Sequence, residues 1–164
     1  MHMTSLDLVP PELRAVQTRP LFVMNVAVGA IHPAGGPAGA ERRISDITGG
    51  TISGDRLSGA VLPGGTDWQT IRDDNAALLD ARIVIRTDDD ALIAMHYTGI
   101  RHGPPEVLAR IARGEEVDPA AYYFRVVPSF ATSAPRYEWL NRIMAIGIGH
   151  RRADGPLYSI FELL

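Results

Sequence analysis

A carboxylate and an indole lie next to each other after a glycine turn, at Asp67 and Trp68. The turn, residues 63–66, reads Pro-Gly-Gly-Thr, and its glycines allow positive φ or a close approach of the backbone to a ligand. On a strand, consecutive side chains point to opposite faces. A carboxylate buried in an apolar cavity has a raised pKa, so Asp67 could act there as a general acid or base. The alternative is that Asp67 caps the turn and Trp68 belongs to the core.

Arginine and tyrosine side chains on predicted strands could hold an anionic ligand and give it a proton. Arg86 lies four residues after Arg82, on the same face of one strand, and Arg125 directly follows an aromatic run. An arginine on a lumen face would bind a carboxylate in bidentate fashion. Tyr97 is a potential proton donor of the same pocket. The alternatives are arginines on the exterior and an ordinary barrel tyrosine with its hydroxyl at the rim.

The segment at residues 137–141, Tyr-Glu-Trp-Leu-Asn, carries side chains that could stack on an aromatic ring. In a functional interpretation, Tyr137 and Trp139 contact the substrate. In a structural one the segment plugs the barrel, with Trp139 in the core and Asn141 forming a turn. We predict Asp67 and Tyr97 as catalytic residues. The predicted substrate-binding residues are Trp68, Arg86, Arg125, Tyr137, Trp139 and Asn141.

The composition excludes several kinds of chemistry. Of the 164 residues, 46% are hydrophobic and 21% charged, which is typical of a globular domain and not of a disordered chain. There is no cysteine, so disulfides, thiol nucleophiles and cysteine-bound metals are excluded. All 16 basic residues are arginine, which excludes Schiff-base catalysis and a P-loop lysine.

The charge pattern argues against a nucleic-acid or membrane partner. The 16 arginines face 19 acidic residues, giving a net charge of −3, and no basic stripe is present. No apolar run reaches the about 18 residues of a membrane span, and the N-terminus lacks a signal pattern. We expect a cytoplasmic protein whose partner is a small-molecule substrate or ligand.

The sequence indicates neither a metal site nor a cofactor. The five histidines lack metal-ligand spacing, and the acidic run at residues 88–90 lacks the glycine and distal glutamate of a calcium loop. We predict a solvated hairpin turn there. The Gly-x-Gly at Gly147 and Gly149 lies inside a predicted strand, unlike a dinucleotide site. Its small side chains either leave room for a ligand or accommodate a bulky neighbour or a strand bend.

Short β-rich segments separated by turn signals predict an all-β fold. The clearest hairpin has strands at residues 78–87 and 91–100, and one or two short helices are expected, the clearer at residues 104–113. We predict eight to ten strands in a closed antiparallel β-barrel, because closure removes exposed edges.

The first half of the chain gives weaker signals. We predict a Pro/Gly loop at residues 32–39 and a strand at residues 55–62. Residues 1–19 are expected to form an N-terminal arm lying on the surface or on a neighbour, and residues 20–164 a single barrel domain.

Three stretches of the chain resemble the bacterial family catalogued as domain of unknown function 3237. They are residues 57–68, residues 80–89 and residues 130–142, which include the Pro-Gly-Gly-Thr-Asp-Trp and Tyr-Glu-Trp-Leu-Asn motifs. The resemblance extends over nearly all of residues 21–164. It implies a compact lipocalin-like antiparallel β-barrel, without a settled activity.

The chain departs from the family pattern at three positions. Ala131 stands where the family usually shows glutamate, and Asn75 and Asp90 stand where it shows glycine after aspartate in two turns. If that glutamate is the family's acid or base, this chain has lost it or moved its role to another residue.

Two functions fit these observations. The first is a cofactor-independent lyase, such as a decarboxylase, or an isomerase acting on an aromatic or carbonyl compound in the lumen. Asp67 or Tyr97 would move the proton, and Arg86 or Arg125 would hold a carboxylate. The alternative is a non-catalytic carrier of a small hydrophobic ligand. The arm and the outer aromatic residues would suit a homodimer or a higher homo-oligomer.

Overall fold

The computed structural model describes residues 5–164, which form nine β-strands and one α-helix. The strands are β1 (Thr18–Gly35), β2 (Glu41–Ser53), β3 (Gly59–Val61), β4 (Gly65–Ile71), β5 (Ala77–Thr87), β6 (Leu92–His102), β7 (Tyr123–Ala131), β8 (Ala145–Arg152) and β9 (Gly155–Leu163). Helix α1 spans Pro105–Ala112, and 3-10 turns lie at Ser5–Leu8, Pro11–Leu13, Pro119–Ala121 and Pro135–Arg142. Within residues 5–164, no helix has the length and apolar character needed to cross a membrane.

The strands form one antiparallel sheet that closes on itself. Hydrogen bonds connect them in the order β1-β9-β8-β7-β6-β5, and β3 and β4 both bridge β5 to β2. Strand β2 pairs with β1, which completes the ring. The predicted closed antiparallel barrel is therefore confirmed.

Side chains alternate between the interior and the outer face along the long strands. In β5, every second residue from Ala77 to Thr87 is buried and the residues between them are exposed. In β6, Ile93, Met95 and Tyr97 are buried in the same way. This period of two gives each strand one face in the hydrophobic core and one face in water.

Two turns use residues other than glycine in the left-handed conformation. Asn75 has φ 64° and Asp90 has φ 68°, at the two positions where the family pattern has glycine. Asn and Asp tolerate this region better than other L-residues because their short side chains form local hydrogen bonds. Both turns therefore form in this chain without glycine.

The glycines of β8 make room for side chains of neighbouring strands. A Cβ atom at Gly149 would lie 2.5 Å from the Phe124 ring, and one at Gly147 would lie 2.6 Å from both Val126 and Ile160. These distances are too short for real carbon contacts. Of the interpretations open for this strand face, the structure supports the bulky neighbour.

The observed elements differ most from the predicted ones in the first half of the chain. The predicted loop at residues 32–39 is partly strand, since β1 continues to Gly35 through register shifts against β2. Only residues 59–61 of the predicted strand at 55–62 are β, while β4 forms where the pattern predicts no strand. Irregular pairing of this kind depends on the partner strand, which local sequence does not specify.

Candidate active site in the barrel lumen

A cavity of about 480 Å³ occupies one end of the barrel. Inward-facing side chains of eight strands line its walls, and α1 lies across its mouth with Leu108 and Ile111 facing inward. No residue of α1 is fully buried, but Val107 and Ile111 pack against the edge of the hydrophobic core. The cavity combines apolar walls with a few convergent polar groups, as small-molecule sites do.

Asp67 is the one carboxylate among the described residues that lines this cavity. It lies on β4, is only 7% exposed, and accepts a hydrogen bond at Oδ2 from Gln69 Nε2 at 2.9 Å. The backbone of Asp80 is near enough to favour the ionised form weakly, but no donor in residues 5–164 reaches hydrogen-bond geometry with Oδ1. Burial raises the pKa of Asp67 above its ordinary value, and the Gln69 hydrogen bond only partly offsets this.

Three arginines line the same cavity: Arg43, Arg101 and Arg151. None of them forms an ion pair within residues 5–164. The guanidinium carbon of Arg101 lies 5.6 Å from the centroid of the Phe124 ring. Burial, and after it the charge of Arg151, lower the pKa of Arg101, but an arginine stays protonated at neutral pH. The cavity therefore offers cationic groups to an anionic ligand.

One buried tyrosine, Tyr158, lines the cavity, and a second, Tyr97, packs behind it. The hydroxyl of Tyr97 is near enough to interact with that of Tyr158, although no group in residues 5–164 reaches full hydrogen-bond geometry with the Tyr158 hydroxyl. Its ring centroid lies 5.5 Å from that of Tyr97 and 5.4 Å from that of Phe124. Burial raises the pKa of both tyrosines, with a further contribution from the charge of Asp67. Both hold their protons at neutral pH, so Tyr158 can donate to an oxygen of a ligand.

The arrangement suits acid–base chemistry on an anion. Asp67 Oδ1 can accept or return a proton, while Arg101 and Tyr158 can stabilise negative charge on a ligand oxygen. A metal site has less support, because no group of three or more His, Asp or Glu side chains in residues 5–164 could hold an ion.

Of the predicted site residues, the structure places only Asp67 in the cavity wall, with Tyr97 packed behind Tyr158. Trp68 points outward and is 51% exposed. Arg86 also lies on the outer face, where its Nε is 3.6 Å from Asp90 Oδ1. Arg125 stacks over Tyr123 outside the cavity, at 4.7 Å from the ring centroid.

Tyr137, Trp139 and Asn141 lie at the other end of the barrel. Strand β5 runs from the cavity to this end, where the Tyr137 hydroxyl donates to Asp89 Oδ1 at 2.6 Å. Trp139 Nε1 donates to the carbonyl of Arg136. Asn141 bonds Thr132 twice, accepting from its amide at 2.9 Å and donating to its carbonyl at 2.8 Å. These contacts hold the segment against that end of the barrel, as in the structural interpretation, but Trp139 is only partly buried and does not belong to the core.

The sequence prediction missed Arg101, Arg151, Tyr158 and Gln69. A signal existed for two of them, because Gln69 shares a strand face with Asp67 and Arg101 shares one with Tyr97. Arg151 and Tyr158 enter the cavity through the pairing of β8 with β9. No local pattern marks that pairing.

The comparisons with known proteins show the family of the chain. The family model described as "Protein of unknown function (DUF3237)" matches residues 16–163. A UPF0311 protein of Rhodopseudomonas palustris is 38% identical over 149 residues, covering 91% of this chain and 97% of the relative. One from Bradyrhizobium diazoefficiens is 36% identical over 149 residues, with the same coverage of each chain.

Solved structures agree with this assignment. A conserved protein of unknown function from Rhodopseudomonas palustris has TM-score 0.88 at 37% identity, covering 92% of this chain and 99% of its own. A beta-barrel like protein from Acinetobacter baumannii has TM-score 0.81 at 38% identity, covering 94% and 98%. A chain described as an enzyme from Penicillium herquei shares the fold at TM-score 0.69 and 23% identity, covering 91% and 95%. Because the family model matches residues 16–163 and the relatives match over nearly their full length, the chain belongs to the DUF3237 family.

Proposed function

We propose that the chain is an acid–base enzyme that moves a proton within a small carbonyl-containing anion bound in the lumen, as a lyase or an isomerase. The observation that carries this proposal is Asp67, a buried carboxylate in the cavity wall with one oxygen held by Gln69 and the other without a hydrogen-bond donor in residues 5–164. A passive carrier of a hydrophobic ligand has no use for such a group, because burying it costs stability.

The steps follow from the groups around Asp67. Oδ1 accepts a proton from the carbon next to a carbonyl, and the electron pair of the C–H bond forms the C=C bond of an enolate. The carbonyl oxygen takes the negative charge, and Arg101 and Tyr158 stabilise it. In an isomerase, Asp67 returns the proton to a different carbon. In a lyase, a leaving group departs from the neighbouring carbon with its bonding electrons.

The raised pKa of Asp67 supports the role of base. A carboxylate with an ordinary pKa is a weak base at neutral pH, whereas a pKa closer to the working pH increases the driving force for proton abstraction. Gln69 fixes the orientation of the carboxylate and leaves Oδ1 as the reacting oxygen.

The carrier remains the second hypothesis, but the missing glutamate no longer favours it. Ala131, at the position where the family shows glutamate, lies on the outer side of β7 and not in the lumen. Its identity therefore leaves the groups around Asp67 unchanged. The description of the Penicillium herquei relative as an enzyme is compatible with catalysis and specifies no reaction.

The test is turnover of a panel of aromatic and aliphatic 2-oxo acids in D₂O, followed by mass spectrometry. We expect deuterium incorporation or a changed product for at least one compound, and a loss of about 10²–10⁴-fold in D67N. Asp46→Asn is the matched control, since Asp46 lies on β2 opposite Thr66 but points outward and is half-exposed. Full activity in D67N would refute the role of Asp67. A compound retained unchanged and in stoichiometric amount would favour the carrier.

A further inference from the structure

Residues 5–17, here called the N-terminal arm, expose large apolar side chains and bury none. Two 3-10 turns make up most of the arm, and neither contains a buried residue. Leu8, Leu13 and Val16 are 73%, 71% and 74% exposed. Apolar side chains gain free energy when they leave water, so a segment with three of them is suited to packing on another surface.

The outer face of the barrel carries an apolar depression of about 460 Å³, here called the outer groove. Outward-facing residues of β5, β6 and β7 form its floor, and the turn at residues 62–65 forms one edge. Val84, Ala94 and Ala131 give the floor its apolar character and are exposed to solvent. The groove is separate from the lumen, because these side chains alternate with the buried ones.

One cation of the groove and one anion of the arm are complementary. Arg82 lies in the groove, and its guanidinium forms no ion pair or hydrogen bond with residues 5–164. His96 beside it is already engaged, with Nε2 at 2.7 Å from Asp80 Oδ1. In the arm, Glu12 likewise has no ion-pair partner in the described part of the chain. A carboxylate from the arm and the Arg82 guanidinium are thus complementary.

The topology places the arm and the groove on different sides of one barrel. The arm leads into β1, which lies between β9 and β2, whereas the groove lies on β5, β6 and β7. Strands β8 and β9 separate them on one side, and β2 with β3 and β4 on the other. The arm of a chain therefore starts across the barrel from its own groove, and a groove of a second copy is the accessible one.

We propose that the N-terminal arm of one copy docks in the outer groove of a second copy of this chain. Leu13 and Val16 cover the apolar floor around Ala94, and Glu12 pairs with Arg82. Because the arm and the groove are different surfaces, the contact is head-to-tail, and a closed ring of copies satisfies every arm. The contact does not involve the lumen, so it is independent of the proposed chemistry.

The absence of native cysteine allows a direct cross-linking test. One chain carries Leu13→Cys, and a second, isotope-labelled chain carries Ala94→Cys. After mixing and mild oxidation, we expect at least ten-fold more mixed disulfide than from Leu13→Cys with Leu78→Cys, since Leu78 is an exposed residue of β5 outside the groove. Equal yields would overturn the proposal. So would an intrachain disulfide in the L13C/A94C double variant, because it would place the arm in its own groove.

Light scattering on full-length chains tests the same contact without cysteines. We expect an oligomer for the wild type and for Leu78→Arg, and a monomer for L13D/V16D and for Ala94→Arg. These positions are exposed, so circular dichroism and the Tm should confirm that each variant is folded. A monomeric wild type at micromolar concentration, or an oligomer that survives both groove and arm variants, would overturn the proposal.

Discussion

Asp67 carries a stability cost that depends on pH. Burial raises the pKa of its carboxyl group, so the folded chain binds this proton more tightly than the unfolded chain does. The free energy of unfolding therefore falls as the pH rises from the unfolded value of 3.8 to the higher folded value, and it stays low above that interval. Such a cost is expected of a group kept for chemistry and not for stability.

Replacing Asp67 by asparagine should remove this cost. The amide keeps an acceptor for Gln69 but carries no charge, so we expect D67N to unfold at a higher urea concentration than the wild type at pH 7. The advantage should disappear near pH 3, where Asp67 is protonated in both states. Each unit of pKa elevation corresponds to about 1.4 kcal/mol.

Urea titrations at several pH values between 3 and 7 measure the effect, with Asp46→Asn as a variant of the outer face. A stability difference between D67N and the wild type that does not change with pH would contradict the raised pKa of this buried carboxylate. Loss of turnover together with gain of stability would separate a catalytic role from a structural one.

Single residues were predictable where a local pattern fixes their environment. Adjacent side chains on a strand point to opposite faces, so Asp67 and Trp68 were expected to do so if their segment is a strand, and in β4 they do. Arg86 and Arg125 were not predictable in this way. Alternation separates the residues of a strand into two faces, but the core packing of the neighbouring strands decides which face is inside.

At the scale of elements, Asp89 joins the β5–β6 turn to the plug segment Pro135–Arg142. Hydrogen bonds from Tyr137 and Thr87 lower the pKa of Asp89 to about 2, and Arg136 adds an ion pair at 3.0 Å. Because the folded pKa lies below the unfolded value of 3.8, this interaction stabilises the fold above pH 3.8 and is lost as the pH falls toward 2.

The variant Tyr137→Phe should raise the pKa of Asp89 from about 2 toward 3.8, because it removes the largest of the stabilising hydrogen bonds. We also expect a weaker dependence of stability on pH between 4 and 2. Carboxyl NMR titration reports the pKa directly. Tyr123→Phe is the control, since Tyr123 is 44% exposed on the outer face. An unchanged Asp89 titration in Y137F would contradict this view of the plug.

The elements themselves were predictable where they are long and regular. The hairpin of β5 and β6 and the helix α1 lie within a few residues of their expected bounds, because alternation, the Asp-rich turn and the proline start are all local signals. The extension of β1 to Gly35 and the bridging strands β3 and β4 depend on pairing across the sheet. The cavity could not be predicted from the sequence for the same reason, because its wall consists of eight strands that come together only in the closed barrel.

At the scale of the whole molecule, the two ends of the barrel differ in structure: one contains the cavity and the other is packed against a segment of the chain. The end under α1 holds the cavity with Asp67 and its three arginines, whereas the plug segment packs on the other end through its own hydrogen bonds. Perturbations at ends that share no contacts should act independently on stability and on ligand binding.

Thermal unfolding with a 2-oxo acid as the probe tests this division. A compound at about 100 times its Kd stabilises the folded chain by about 2.7 kcal/mol, which for a chain of this size raises the Tm by about 5–10 °C. We expect Arg101→Met to lose this rise, because it removes a cation of the cavity, and Tyr137→Phe to keep it from a lower starting Tm. The opposite pattern would place the ligand at the plug end. It would then contradict the catalytic role that we propose for Asp67.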